Sequence, residues 1–343
     1  MSRKRPVVIA VTALCLLMAG CADSSTEAVG NKSPKSGSGS GYPVTVENCA
    51  EKQTFTKAPE RVVVMNGASV AEVSSLLALG LGDRIVANQQ SYGRSEVEGR
   101  AEAIKALPKG DVKLNDAFDI PREAMLGLRP DFVLAVTSYG FDAKNGFATR
   151  DDLSSVSANS YISPQGCDDD PAKMTVADSY TLLRDLGRIF GVSDRAEKLI
   201  AESEKRIAAI SAEVAGEEKP NVMVLFSNMV MGGNDFSSVV ANGIINDILT
   251  KAGGSNAFAN TSRSTFADLS KEKVAATSVD ALVVISYNDP DPEAYAKKLL
   301  KEFPQWPAAK TNTYTVLSDS IYLGPSNDVA VDKLARTFHP DAF

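Results

Sequence analysis

REAMLGLRPDFVLAV (residues 122–136) and KEKVAATSVDALVVI (residues 271–285) are two copies of one pattern. In each, a Glu (Glu123, Glu272) stands eight positions before an Asp (Asp131, Asp280). Each Asp opens a five-residue apolar run, followed by a hydroxyl and a nearby Tyr: Thr137 and Tyr139 in the first copy, Ser286 and Tyr287 in the second. The spacing predicts a short helix running into a buried strand. A pattern that occurs twice in one chain implies two similar lobes, and the cleft between two lobes is where a ligand binds.

Reading outward, RVVVMN (61–66) is β-branched and bounded by Pro59 and Gly67, which predicts a buried strand. Val70, Val73, Leu76, Leu77 and Leu79 then follow helical spacing up to Gly80 and Gly82, and RIVA (84–87) is the next strand. With a helix over 122–128 and a strand over 131–136, the order is β-α-β-α-β with unbroken apolar strands, the pattern of a parallel α/β sheet. The second half repeats the theme: strands over 221–227, 281–286 and 313–318, and helices over 241–253, 295–303 and 328–338. Between the halves, Thr175 with Asp178 and Asp194 with Glu197 read as helix-capping pairs. The apolar stripe from Ala196 to Val214 predicts one stiff rod joining the sheets. The expected fold is therefore α/β: two Rossmann-like lobes with parallel-rich sheets, joined by a single long helix, with the ligand cleft between them. The expected boundaries are an N-terminal lobe over 43–175, linking helices over 176–219 and a C-terminal lobe over 220–343.

Upstream of this body, Arg3, Lys4 and Arg5 precede an apolar stretch at 7–19 of about 13 residues, too short to span a membrane but right for a signal-peptide core. Leu17-Met18-Ala19-Gly20-Cys21 resembles the bacterial lipobox, with Met18 where Leu is usual. It implies a leader over 1–20, a lipid on Cys21, and export to the outer face of the cytoplasmic membrane, with ordinary secretion and cleavage further on as the alternative. The polar, SGSGSG-containing stretch over 21–42 reads as a flexible tether. Loss of the leader removes its three cations and moves the net charge from −7 to −10. That argues against a nucleic-acid binder, whose footprint is basic. Of the four Cys, Cys15 leaves with the leader and Cys21 takes the lipid, so Cys49 and Cys167 remain as one pair in an oxidising setting. A disulfide is expected, with two free thiols as the alternative.

Several stretches together resemble the ABC-transporter substrate-binding proteins for iron-siderophores, haem and vitamin B12. They are APERVVVMNGASVAEVSSLLALGLGDRIVA (58–87), REAMLGLRPDFVLAV (122–136), RIFGVSDRAEKLI (188–200), AGGSNAFAN (252–260) and the terminal HPDAF. The resemblance covers nearly all of 43–343. ENCAEKQTF and SPQGCDDD, which carry Cys49 and Cys167, resemble an actinobacterial siderophore-binding branch. The resemblance implies a monomer that hands its ligand to an ABC importer permease. Within it, Glu123 and Glu272 occupy the positions of the surface carboxylates, one per lobe, that pair with permease arginines. The alternative for both is a solvated carboxylate favoured near a helix N-terminus.

In parallel sheets, ligands bind beyond the carboxyl ends of the strands. That rule selects Asn66, Ser69, Tyr92, Tyr139, Phe141 and Arg150 in the first half, and Asn228, Met231, Tyr287 and Tyr322 in the second; Arg263 lies on the approach to the second Glu helix. The aromatics would give flat contact area with polar tips, and the two Arg would meet hydroxamate, catecholate or carboxylate oxygens. Ordinary packing is the alternative for each aromatic, and a solvated or salt-bridged surface site for each Arg. FATRDDL matches a segment of the actinobacterial branch, which singles out Arg150.

The single His, His339, argues against a resident zinc or manganese site and is expected to be structural. No protein-bound cofactor is expected. The cargo is expected to be a ferric siderophore that brings its own iron ligands, with haem or vitamin B12 on the same scaffold as alternatives. An exported enzyme is a remote reading. Gly80-Leu81-Gly82 follows a helix and lacks the third Gly of a dinucleotide fingerprint; Met231-Gly232-Gly233 has no following Gly-Lys-Ser/Thr; and no nucleophile elbow appears.

Overall fold

The computed structural model describes residues 41–66, 69–91, 93–167, 171–318 and 326–343. The leader, Cys21 and all but the end of the expected tether lie outside them. Tyr42 already belongs to the folded body, because its hydroxyl donates to the Ile189 carbonyl at 2.6 Å.

A hairpin of β1 (Val44–Asn48) and β2 (Glu51–Phe55) opens the body. Then come β3 (Val62–Val64), α1 (Val70–Ala78), β4 (Ile85–Asn88), α2 (Arg100–Lys105), α3 (Arg122–Gly127), β5 (Phe132–Ala135), α4 (Arg150–Ser155) and β6 (Asn159–Ile162). The first sheet is wholly parallel, in the order β4-β3-β5-β6. Helices α5 (Val176–Ile189) and α6 (Ser193–Glu213) follow. The second half contains β7 (Asn221–Phe226), β8 (Phe236–Val240), α7 (Ile244–Lys251), β9 (Ser255–Asn256), β10 (Phe266–Leu269), α8 (Lys271–Ala275), β11 (Ala281–Ser286), α9 (Pro292–Glu302), α10 (Pro307–Thr311), β12 (Tyr314–Ser318) and α11 (Asn327–Phe338). Its sheet runs β10-β8-β7-β11-β12, with β9 paired to β7. Here β7, β11 and β12 are parallel, while β8 is antiparallel to both its neighbours.

The unbroken apolar strands are explained by burial on both faces. Val62, Val64, Phe132 and Leu134 face one core, and Val63, Val133 and Ala135 face another. In the second sheet, Val222, Val224, Val283 and Ile285 alternate in the same way with Met223, Leu225, Leu282 and Val284. The inner faces of both sheets share a single core with Leu183, Leu186, Ile200 and Ile207 of α5 and α6.

The two copies of the quoted pattern are equivalent in the fold. Glu123 is the second residue of α3 and Glu272 the second residue of α8, and each helix runs into the buried strand β5 or β11. The Asp residues also match. Asp131 accepts from the Arg61 N–H at 2.7 Å, just before β3, and Asp280 accepts from the Asn221 N–H at 2.8 Å, the first residue of β7. Each Asp thereby ties the start of its own strand to the start of the parallel neighbour.

The expected long rod is α6, 21 residues long, and α5 packs against it as the other arm of a helical hairpin. The chain reverses at Gly191 (φ +67°), and α5 and α6 pack so closely that a Cβ on Gly187 would lie 2.7 Å from Ala196. Thr175 and Asp178 form the expected capping box on α5, with the Thr175 N–H donating to Asp178 at 2.7 Å. Asp194 does not cap α6. The tight reversal puts Val192 at the cap, so Asp194 falls inside the first turn, where its charge favours the helix N-terminus.

Cys49 and Cys167 form a disulfide across a sequence separation of 118 and a Cα–Cα distance of 4.9 Å. It fastens the hairpin to the segment after β6. Replacing both cysteines by Ser is expected to lower the unfolding free energy by about 2–5 kcal/mol, read from the denaturant midpoint. An unchanged midpoint would mean that side-chain contacts alone hold the hairpin.

Candidate ligand cleft

Both sheets present the carboxyl ends of their parallel strands to loops that meet between the lobes. A cavity of about 860 Å³ lies there, lined from the first lobe by the segment around Arg94, Glu96 and Glu98, and from the second by Ser286, Asp289 and Ser318. That volume lies within the usual range for small-molecule sites. One end of the cleft is bridged directly. The Arg94 N–H donates to Ser318 Oγ at 3.1 Å, Glu96 accepts from the Ser318 N–H at 3.0 Å, and Glu96 also meets Lys333 at 3.2 Å.

Four of the large apolar side chains left exposed among the described residues sit on or beside the strand-end loops. In the first lobe these are Phe118 (75 % exposed) and Tyr139 (52 %); in the second, Val230 (82 %) and Met231 (57 %). Exposed apolar groups of this size on a protein surface are candidates for a contact surface. Hydrogen bonds fix the positions of three of them. Asn66, just after β3, donates from Nδ2 to the Phe118 carbonyl, and its own N–H donates to Asp119 Oδ1 at 3.0 Å. The Tyr139 hydroxyl donates to the Ala117 carbonyl at 3.4 Å, while its ring lies edge-on to Phe147 at 5.7 Å. In the second lobe the Met231 N–H donates to Ser237 Oγ at 3.1 Å, and Asp268 accepts from the Gly233 and Asn234 N–H groups, both at 3.0 Å.

The structure sorts the expected site residues into distinct groups. Tyr139, Asn228 and Met231 are exposed on strand-end loops; Asn228 also donates to the Asn288 carbonyl at 3.1 Å. Tyr287 is half-buried against the shared core, and Asn66 positions the Phe118 loop. Tyr92 and Tyr322 lie outside the described residues. Ser69 is fully buried: it caps α1 by accepting from the Ala71 N–H at 3.2 Å and donates to Glu72 at 2.7 Å, so it cannot meet a ligand. Phe141 is 7 % exposed and packs in the outer core of the first lobe.

Arg150 is not offered to the cleft either. Its Nε lies 2.9 Å from Ser160 Oγ and 3.2 Å from Glu51, and its terminal nitrogens donate to the Asn48 carbonyl and Oδ1 at 3.3 and 3.2 Å. It locks the hairpin, beside the disulfide, to the outer strand β6. Arg263 is exposed on the loop before the edge strand β10, held there by Asn242 through the Ser262 and Ser264 carbonyls at 2.8 and 2.9 Å. That loop follows the two-residue strand β9, which pairs with β7.

Sequence reasoning missed Phe118 and Val230. Phe118 sits in LNDAFDIP, where no periodicity marks it, and only the bond from Asn66 shows that it lies beside the end of β3. His339 is buried with its Nε2 3.3 Å from the Gly253 carbonyl, a packing position at the end of α11.

A family model described as Periplasmic binding protein matches residues 62–321. The chain belongs to this family. Membership makes it a binding protein of extracytoplasmic transport and not an enzyme. A periplasmic binding protein from Veillonella parvula superposes with a TM-score of 0.70 at 21% identity, over 87% of this chain and 97% of that one. An ABC-type Fe3+-hydroxamate transport system protein from Saccharomonospora viridis gives 0.67 at 25% identity, over 87% and 98%. A periplasmic heme-binding protein from Roseiflexus gives 0.59 at 23%, over 83% and 99%. The Veillonella and Roseiflexus likenesses establish the fold alone. No curated protein sequence matches the chain.

Beneath the first-lobe loops, the fully buried Glu72 accepts from Ser69, Ser163 and Gln165, at 2.7, 2.5 and 3.1 Å. Burial raises its pKa, against the lowering effect of those hydrogen bonds. An acid whose pKa is raised on folding stabilises the protein fully below its unfolded value, and that contribution fades as pH rises through the folded value. Glu72→Gln should therefore melt close to the parent in acid and progressively higher relative to it as pH rises. A difference in thermal midpoint that stays constant with pH would show that Glu72 does not titrate in this range.

Proposed function

We propose that this binding protein captures a ferric siderophore between its lobes and delivers it to an ABC importer, while anchored through a lipid on Cys21 to the outer face of the cytoplasmic membrane. The observation that carries the reading is the interlobe cavity, together with the exposed apolar side chains Phe118, Tyr139, Val230 and Met231 on or beside the strand-end loops of the two lobes. A chelate wrapped in its own organic ligand presents this kind of bulky, mixed surface. The Fe3+-hydroxamate relative at 25% identity supports the same class of cargo. The Cys49–Cys167 bond and its flanking sequence support membership of the actinobacterial siderophore-binding branch.

In this reading Glu123 and Glu272 are the permease contacts. Both are exposed and equivalent in the two lobes, so they offer matched anions to a roughly two-fold symmetric permease. The ligand would enter a largely preformed cleft, because the shared core around α5 and α6 resists wide lobe motion. Docking then opens the cleft and releases the cargo.

The test is calorimetric titration with ferric hydroxamate, catecholate and citrate-type siderophores, haem and vitamin B12. Calorimetry is preferable to tryptophan fluorescence, since the sole Trp, Trp306, is buried and stacked on Phe303. Saturable binding of an iron-loaded siderophore but not of its iron-free form is expected; binding of haem or vitamin B12 alone would assign the cargo differently. Truncating Phe118 and Met231 to Ala should weaken cargo binding at least about ten-fold. Glu123→Lys with Glu272→Lys should abolish cellular uptake with affinity unchanged, and an equal loss of affinity would move both residues from docking into the cleft or the fold.

A further inference from the structure

We infer that residues 94–98 form a strap that gates the interlobe cavity. It closes by bonding to the second lobe, and cargo enters and leaves when those bonds part. This rests on the reading that the cavity holds the cargo, and adds how a cargo passes.

The strap follows β4, the edge strand of the first sheet, and reaches β12, the edge strand of the second. Its central contact is Ser318, the last residue of β12. The Arg94 N–H donates to Ser318 Oγ at 3.1 Å, and that hydroxyl donates in turn to the Arg94 carbonyl. The Ser318 N–H donates to Glu96 at 3.0 Å, and Lys333 of α11 donates to the same carboxylate at 3.2 Å. The far side of this bridge is firmly held. Ser318 ends a strand paired with β11 along its whole length. Helix α11 is fastened to the helical hairpin by Asn327, whose Nδ2 donates to Ser179 Oγ at 2.6 Å, and by Asp328, which meets Arg206 at 2.6 Å. The strap lacks such support. No helix or strand forms among the described residues between β4 and α2. Gly93 (φ +77°) and Gly99 (φ +69°) bracket the strap, and glycine reaches this left-handed region without steric cost, so the backbone turns at both ends. Beyond Gly99 the chain is anchored again, by the Arg100 guanidinium donating to the Ser74 carbonyl at 2.5 Å.

The strap is wall and bridge at once. It lines the cavity from the first lobe, while Val316, Leu317 and Ser318 line it from the second. While the bonds hold, the two walls are tied across the cavity. The core shared by both sheets resists wide separation of the lobes, so a bulky cargo needs a local moving part to pass. A stretch without regular structure between two glycine hinges opens at a lower free energy than the fold as a whole. A strap that closes equally over the empty and the filled cavity sets the rate of exchange and leaves the affinity unchanged.

The first readout needs no cargo: hydrogen exchange of the free protein, followed by mass spectrometry. Lys333 is 40 % exposed and does not line the cavity, so its variants test the bridge without altering the cavity wall. In Lys333→Met the strap amides should exchange about two- to five-fold faster, with β3 and β7 unchanged. Lys333→Glu should be faster still, and Lys333→Arg should restore the parent rate. Salt should speed exchange in the parent and not in Lys333→Met, because it screens the pair with Glu96. The second readout is stopped-flow binding of the tightest ligand among ferrioxamine B, a ferric tris-catecholate, ferric citrate, haem and vitamin B12. Association and dissociation should both rise about two- to five-fold in Lys333→Met, with affinity within about two-fold of the parent. Strap exchange that ignores the variants, or faster exchange with unchanged binding rates, would make the bridge a static tie and overturn the gate. Faster dissociation alone, with affinity lost in proportion, would make the strap a cargo contact and overturn it too. Binding of haem or vitamin B12 alone would overturn the siderophore reading while the gate is judged on that ligand's rates. Binding of none would overturn both.

Discussion

A single apolar core runs without a break from the inner face of one sheet to the inner face of the other. Val62 and Phe132 stand at one end, Val222 and Val283 at the other, and Leu183, Leu186, Ile200 and Ile207 of the helical hairpin fill the middle. Each fully buried large side chain contributes about 1.5–3 kcal/mol relative to exposure. Separating the lobes widely would return part of this surface to water. The lobes therefore sit at a nearly fixed separation, and the cleft between their strand ends is a property of the resting fold. The bridge from Glu96 to Ser318 and Lys333 holds one end of that cleft in the same sense, by polar contacts the ligand does not supply.

Within each lobe the strand ends are aligned by a repeated device. Asp131 and Asp280 accept backbone N–H groups at the start of the neighbouring parallel strand, and the following apolar runs alternate between two buried faces. Parallel pairing places the carboxyl ends of all these strands on one edge. The loops that follow inherit that placement, so Asn66 and Tyr139 leave one edge of the first sheet and Asn228 and Met231 leave the corresponding edge of the second.

The hairpin of β1 and β2 was not legible as such. Its strands are short and half exposed, and they acquire a buried side only by leaning on β6 and α5. The same is true of β6, where NSYI begins polar and becomes a strand because β5 pairs with it. In β8 the sequence FSSVV breaks the apolar run, yet Ser238 is accommodated in the sheet by donating to the Phe226 carbonyl at 2.8 Å. Arg150 shows the limit most clearly. Its place in the chain, shortly after a strand end, is that of a ligand contact; its partners Asn48, Glu51 and Ser160 come from strands that only folding brings beside it.

By itself the sequence determined the class of the fold. Paired apolar runs with an Asp at the head, helical stripes between them and a capped linker admit little except two parallel-rich α/β lobes, because buried strands and amphipathic helices must cover one another. It also determined the exported character of the cysteine chemistry and the matched Glu pair. Tertiary structure decided which polar and aromatic residues the cleft can use. Side-chain exposure depends on partners distant in sequence: Ser69 and Phe141 are buried by such partners, Phe118 is left uncovered, and Arg150 is bound into an anchor. Neither spacing nor composition records those contacts, since each is made only after the sheets have formed and the helical hairpin has brought the two lobes together.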